Sequence, residues 1–112
     1  MIHRMGLYSE YFKLIREGTK TVEVRLFDEK RRKVNMGDVI EFMKIPEKNE
    51  TIRVNVVGLN KYETFKQLYE DIPFEDFGNK GSTLESMVNG TYEIYTRAQE
   101  KQWGALAIRI EQ

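Results

Sequence analysis

A mainly antiparallel, curved α+β sheet or small β-barrel with flanking helices is the fold class the sequence predicts, and three observations carry it. Apolar spacing switches repeatedly between the helical period of about 3.6 residues and the strand period of two. The links between strand-like segments at Gly37 and around Pro46 are too short to hold a crossover helix, which favours antiparallel neighbours. A mass of 13.3 kDa suits one hydrophobic core and is small for two, so residues 1–112 are expected to form a single domain.

The first helix is read from Tyr8, Tyr11, Phe12 and Ile15, which fall on one stripe at i, i+3, i+4 and i+7, with Ser9 near the start and Gly18 as the C-terminal stop. From Thr21 the period becomes two: Val22, Val24 and Leu26 point one way and Thr21, Glu23 and Arg25 the other, giving a strand with one polar face. Gly37 and Asp38 turn into a second strand, Val39 to Met43, and Thr51 to Val57 alternates as a third. Thr64 with Gln67 forms a capping box ahead of Phe65, Leu68, Tyr69 and Ile72, a second helix that Pro73 ends. Ser82 with Glu85 repeats that pattern before Leu84, Met87 and Val88, and Thr96 with Gln99 caps a short fourth helical turn. Ala105 to Ile110 closes the chain as a strand with Leu106, Ile108 and Ile110 on one face.

Composition removes several chemistries. There is no cysteine, hence no disulfide framework, thiolate metal site or thiol nucleophile, and a cytoplasmic location is expected. No apolar run is long enough for a membrane span or a secretory leader. His3 is the single histidine, so no His cluster for a metal exists, and its default role is structural. No phosphate-cradling glycine loop and no other cofactor motif is present. The acidic residues Glu70, Asp71, Glu75 and Asp76 around Pro73 read as a charged helix end. The formal net charge is zero, but residues 1–53 carry 12 basic and 9 acidic side chains against 6 and 9 in residues 54–112. Any anion site is therefore expected in the first half.

The densest reactive cluster lies there. Lys20 stands at the helix-to-strand corner, and Thr21, Glu23 and Arg25 alternate onto one face, so an ammonium, a hydroxyl, a carboxylate and a guanidinium converge. Arg25 suits a phosphate or a base edge, Lys20 supplies a point charge, and Glu23 accepts from an amino group. The same Glu23 and Arg25 also suit an ordinary surface ion pair worth little. Lys30, Arg31, Arg32 and Lys33 follow as a basic run, which serves either as a track for a nucleic-acid backbone or as a solvated loop. Tyr92, Tyr95 and Trp103 offer stacking faces for splayed bases, with Trp103 beside Gly104 the best candidate for the core, and Arg97 is a second anion contact.

The order of a helix, G-x-K-T-x-E-x-R over Gly18 to Arg25, a basic loop, G-D-x-I-x-F over Gly37 to Phe42, a Tyr-rich segment, and W-G-x-x-x-I-x-I over Trp103 to Ile110 resembles the ASCH family. The resemblance spans essentially the whole chain and implies a PUA-like β-barrel. It also implies a cleft beside the first helix that takes RNA or a nucleotide-like ligand, lined by Lys20, Thr21, Glu23 and Arg25.

Small members of that family hydrolyse the amide of N4-acetylcytidine with a threonine nucleophile, a lysine and a glutamate. Carried over by position, their lysine falls on Lys20, their arginine on Arg25 and their threonine on Glu23, which forms no acyl ester of that kind but is able to act as a general base on water. Thr21 is the nearest hydroxyl, and Glu75 or Glu85 would be the glutamate partner. Other members are associated with RNA cleavage through a lysine, a tyrosine and a serine, a set that Lys20, Tyr92 or Tyr95, and Ser82 would imitate. The first expectation is an RNA- or nucleotide-binding domain. The second is a small hydrolase acting on a modified nucleoside or on RNA through Lys20 and Glu23, and the third is a protein-interaction module.

Overall fold

In the computed structural model, which describes residues 1–79 and 81–112, the chain begins with a strand. His3, Met5 and Leu7 alternate inward along β1 (Ile2–Tyr8), an element the sequence reading placed no weight on. Tyr8 is consequently the extended residue ahead of α1 (Ser9–Arg16), and its ring is left 54% exposed. The buried stripe of the helix is Phe12 and Ile15, with Tyr11 half-buried beside them. The next strand, β2 (Val22–Leu26), is followed by a 3₁₀ turn at Arg31–Lys33, then β3 (Val39–Ile45) and β4 (Thr51–Tyr62). β4 outruns the expected end at Val57 because a bulge between Val56 and Gly58 lets the ladder to the last strand continue.

Helices fill the second half: α2 (Phe65–Asp71), α3 (Leu84–Tyr92) and α4 (Arg97–Trp103), with a 3₁₀ turn at Phe74–Phe77, before β5 (Ala105–Glu111). Thr64 caps α2 by accepting the Gln67 amide, and Thr96 and Gln99 form a reciprocal box at α4. At α3 the cap is Thr83, which accepts from the Ser86 amide, one residue beyond the expected Ser82.

The expected closed antiparallel barrel does not form. The sheet order is β1-β3-β4-β5-β2, and β1 runs parallel to β3, from Ile2 opposite Val39 to Tyr8 opposite Ile45. All of α1, β2 and the basic loop lies between those two strands, ample chain for the crossover that a parallel pair needs. The remaining pairs are antiparallel. What results is a curled, open mixed sheet, a half-barrel whose free edges are β1 and β2. Side chains span that seam: Arg25 Nη2 donates to the Gly6 carbonyl at 2.8 Å, and Lys30 Nζ to the Arg4 carbonyl at 2.6 Å.

β5 is buried on both faces and divides the core. Leu106, Ile108 and Ile110 join Phe12, Ile15, Ile40, Phe42 and Val54 inside the curl. Ala105 and Ala107 face outward, where their small side chains let Phe65, Leu68 and Phe77 pack against Val22 and Leu26. Among the described residues no helix is long and apolar enough to cross a membrane.

Candidate functional site at the open seam

Gly18, at φ 79°, ends α1 in the left-handed conformation that glycine adopts without strain. The amides of Thr19 and Lys20 then both donate to the Leu14 carbonyl, at 2.9 and 3.1 Å, which fixes Lys20 at the corner into β2. From the other side Gly78, at φ 78°, packs so close that an added Cβ would lie 3.1 Å from Leu14 and 3.5 Å from the Lys20 Cβ.

Held between these glycines, Lys20 is only 6% exposed. Its ammonium is 3.4 Å from Glu23 Oε1 and lies 5.7 and 5.8 Å from the ring centroids of Tyr11 and Phe77. Glu23 is equally buried. Its Oε1 also accepts the Val24 amide at 3.2 Å, and its Oε2 accepts Arg25 Nε at 2.9 Å and Nη2 at 2.7 Å. One carboxylate thus serves two cations, leaving a net positive charge in a low-dielectric setting.

The titration behaviour follows from that geometry. Burial pushes the Lys20 ammonium below its ordinary value, and the nearby Glu23 offsets this only in part. Burial also works against the Glu23 carboxylate, but Arg25 and Lys20 outweigh it and hold that group below the usual range. For Arg25, burial is outweighed by Glu23 and by the Tyr95 hydroxyl, so its guanidinium is held charged more firmly than usual.

Beside this triad a hollow of about 460 Å³ opens between the edges β1 and β2, with residues of α3 completing its wall. That volume falls in the range of small-molecule sites. Tyr69 reaches in from α2; burial pushes its hydroxyl up to about 12, and it shares a 2.7 Å hydrogen bond with Thr91.

Of the residues singled out in the sequence, Lys20, Glu23, Arg25 and Tyr95 line the hollow together, as does Ser82. No hydrogen bond joins Ser82 to Lys20 or Tyr95 among the described residues. Thr21, Tyr92 and Arg97 lie outside the lining. Thr21 precedes the first residue of β2, so the alternation does not yet govern it, and its amide and hydroxyl both turn to the Asp76 carbonyl, at 2.8 and 3.5 Å. The Tyr92 hydroxyl donates to Glu100 at 2.7 Å, and Arg97 stacks 4.2 Å over the Tyr92 ring, so both serve to dock α4. Glu75 and Glu85 are exposed and outside the hollow. Phe77 and the Gly6 carbonyl are contributors that the sequence did not single out, and Tyr11 was read there only as helix stripe.

The ASCH domain model matches residues 5–112. Among solved structures the chain is similar to the hypothetical protein PH0355, at 36% identity and a TM-score of 0.89 over 99% of this chain and 98% of that one. It is also similar to protein PF0455 from Pyrococcus furiosus, at 33% identity and a TM-score of 0.78 over 99% and 96% of the two chains. A mutant of the ASCH protein of Zymomonas mobilis shares the fold alone, at 17% identity and a TM-score of 0.68 over 99% of this chain and 68% of that one. No curated protein matches the chain. By the reach of the family match, this chain belongs to the ASCH domain family.

Proposed function

We propose that this domain binds RNA or a nucleotide-like ligand in the hollow beside Lys20. The observation that carries the reading is the buried lysine itself: two cations share one carboxylate at the floor of a nucleoside-sized opening. Burying a lysine costs stability, and an oxygen of the ligand carrying negative charge offsets that cost. Lys20 meets the ligand, Tyr95 offers a hydroxyl beside Arg25, and Glu23 acts as the counter-ion that orients Lys20 and Arg25. Thr21, Tyr92 and Arg97 support the frame from outside. The family link to RNA and nucleotide handling points the same way.

The same contacts weigh against hydrolysis. A general base needs a free lone pair and a basic carboxylate, whereas Glu23 has both oxygens occupied and is held ionised below the usual range. Titration of the protein with nucleoside monophosphates and with single-stranded RNA tests the binding reading. Lys20→Met is expected to weaken binding about tenfold or more, the worth of a charged hydrogen bond, with circular dichroism unchanged. Wild-type affinity in that variant rejects the site. Incubation with N4-acetylcytidine, followed by mass spectrometry, is expected to leave the acetyl group in place; release that Glu23→Gln abolishes would restore the hydrolase reading.

A further inference from the structure

We infer that Tyr69 is a specificity-determining residue of the hollow, accepting a hydrogen bond from an exocyclic amino group of a base and refusing a base that carries a carbonyl at that place. The inference rests on the binding reading above and deepens it.

A row of three bonded groups fixes the polarity of this wall. On α3 the Thr91 hydroxyl lies 3.0 Å from the Met87 carbonyl, and a carbonyl only accepts, so the Thr91 proton is committed there. The Thr91 oxygen is also 2.7 Å from the Tyr69 hydroxyl. With its single proton already placed, Thr91 is the acceptor in that bond and Tyr69 the donor. Tyr69 has no proton left to offer, and no other hydrogen bond reaches its hydroxyl among the described residues.

What Tyr69 presents to the hollow is therefore lone pairs alone. Burial pushes its hydroxyl up to about 12, so at neutral pH the group stays protonated and the chain of bonds keeps its direction. Lys20, which only donates, stands close by: the Tyr69 and Phe77 rings are 5.1 Å apart, and the Lys20 ammonium lies 5.8 Å from that same Phe77 ring. A ligand oxygen answers Lys20 but leaves the Tyr69 oxygen facing nothing it can accept from. The group next to Tyr69 must itself donate.

A ribose hydroxyl both donates and accepts, so it pairs with Tyr69 whichever way the proton points. An amino group and a carbonyl need opposite orientations, and only for them does a fixed proton decide the outcome. A carbonyl there meets lone pairs with lone pairs, and the buried oxygen of Tyr69 goes unpaired.

The test compares nucleotides that differ in that one group: cytidine 5′-monophosphate against its analogue with hydrogen in place of the 4-amino group, and adenosine 5′-monophosphate against the corresponding purine riboside monophosphate. On whichever base binds tighter, wild-type protein is expected to favour the amino-bearing member about tenfold or more. Tyr69→Phe keeps the ring and its packing on Phe77, and is expected to bind both members alike. Thr91→Val keeps the side-chain shape and frees the Tyr69 proton, so its preference is expected to turn from cytidine to uridine monophosphate, a reversal that mere loosening of the fold does not produce. Nucleotide binding with the same amino preference in Tyr69→Phe as in wild type overturns the inference and leaves the hollow as the binding site. Discrimination that follows the 2′-hydroxyl, read with 2′-deoxycytidine monophosphate, and not the amino group overturns it too. If wild-type protein binds none of these nucleotides, the reading of the hollow falls first and the inference with it.

Discussion

Lys20 and Glu23 are three residues apart and both buried, yet removing one should have the opposite effect on stability from removing the other. Glu23→Gln leaves two buried cations without a counter-charge and is expected to cost about 3–5 kcal/mol, read from denaturant melts. Lys20→Met leaves the Glu23–Arg25 pair intact and fills the slot between Tyr11 and Phe77 with an apolar chain, so its melting temperature is expected to hold or rise. A fall of several degrees in Lys20→Met would mean that the lysine is there for the fold. The pH response separates the same two groups. Lys20 titrates below its unfolded value of 10.5, so in that alkaline window the unfolded chain holds a proton the native one has lost, and stability gains a contribution as pH climbs. Ligand binding should fall across the same window as the ammonium is lost, with Glu23, Arg25 and Tyr11 the other titratable groups facing it. Glu23 titrates below 4.5, so its stabilising contribution is present above that value and is lost as pH falls through the native one.

Helix starts were legible because a cap is a local pattern: Thr64 and Thr96 accept the amides that their spacing predicts. The start of α3 slipped by one residue because Ser82 and Thr83 are both competent caps, and the chain path chooses between them. β1 was missed because His3 and Met5 carry little strand signal by themselves, although their alternation with Leu7 was present. Lys20, Glu23 and Arg25 were legible from one strand and the corner before it, whereas Phe77 and Gly78 come from a distant turn that no spacing could connect to Lys20. That turn carries a prediction. Gly78→Ala forces a side chain into a left-handed residue and against Leu14 and Lys20, and should destabilise the protein by about 1 kcal/mol or more. It should also weaken ligand binding, because the corner that holds Lys20 shifts. A variant with wild-type melting and binding would show that the close packing there is dispensable.

The sheet as a whole places the site. Alternation tells which residues of a strand share a face, but not which strands become neighbours, and that is why the α+β class was legible and the parallel β1–β3 pair was not. The consequence is functional as well as architectural: a closed barrel would have sealed β1 against β2, where the open one leaves a hollow between them with Arg25 and Lys30 spanning its edges. Charge agrees with that placement, since the basic excess lies in residues 1–53, and Lys20 and Arg25 are both part of it. Salt is expected to weaken RNA binding steeply while leaving the melting temperature nearly constant, because the triad is buried and unscreened whereas the phosphate contacts are not. The account rests on the hollow beside Lys20 being occupied by ligand, and amide chemical-shift mapping during titration of the ¹⁵N-labelled protein with a short single-stranded RNA reads that directly. The account predicts that the largest shifts fall on Lys20, Glu23, Arg25 and Tyr95 and disappear in Lys20→Met. Shifts confined to other surfaces, or unchanged by that substitution, would contradict it.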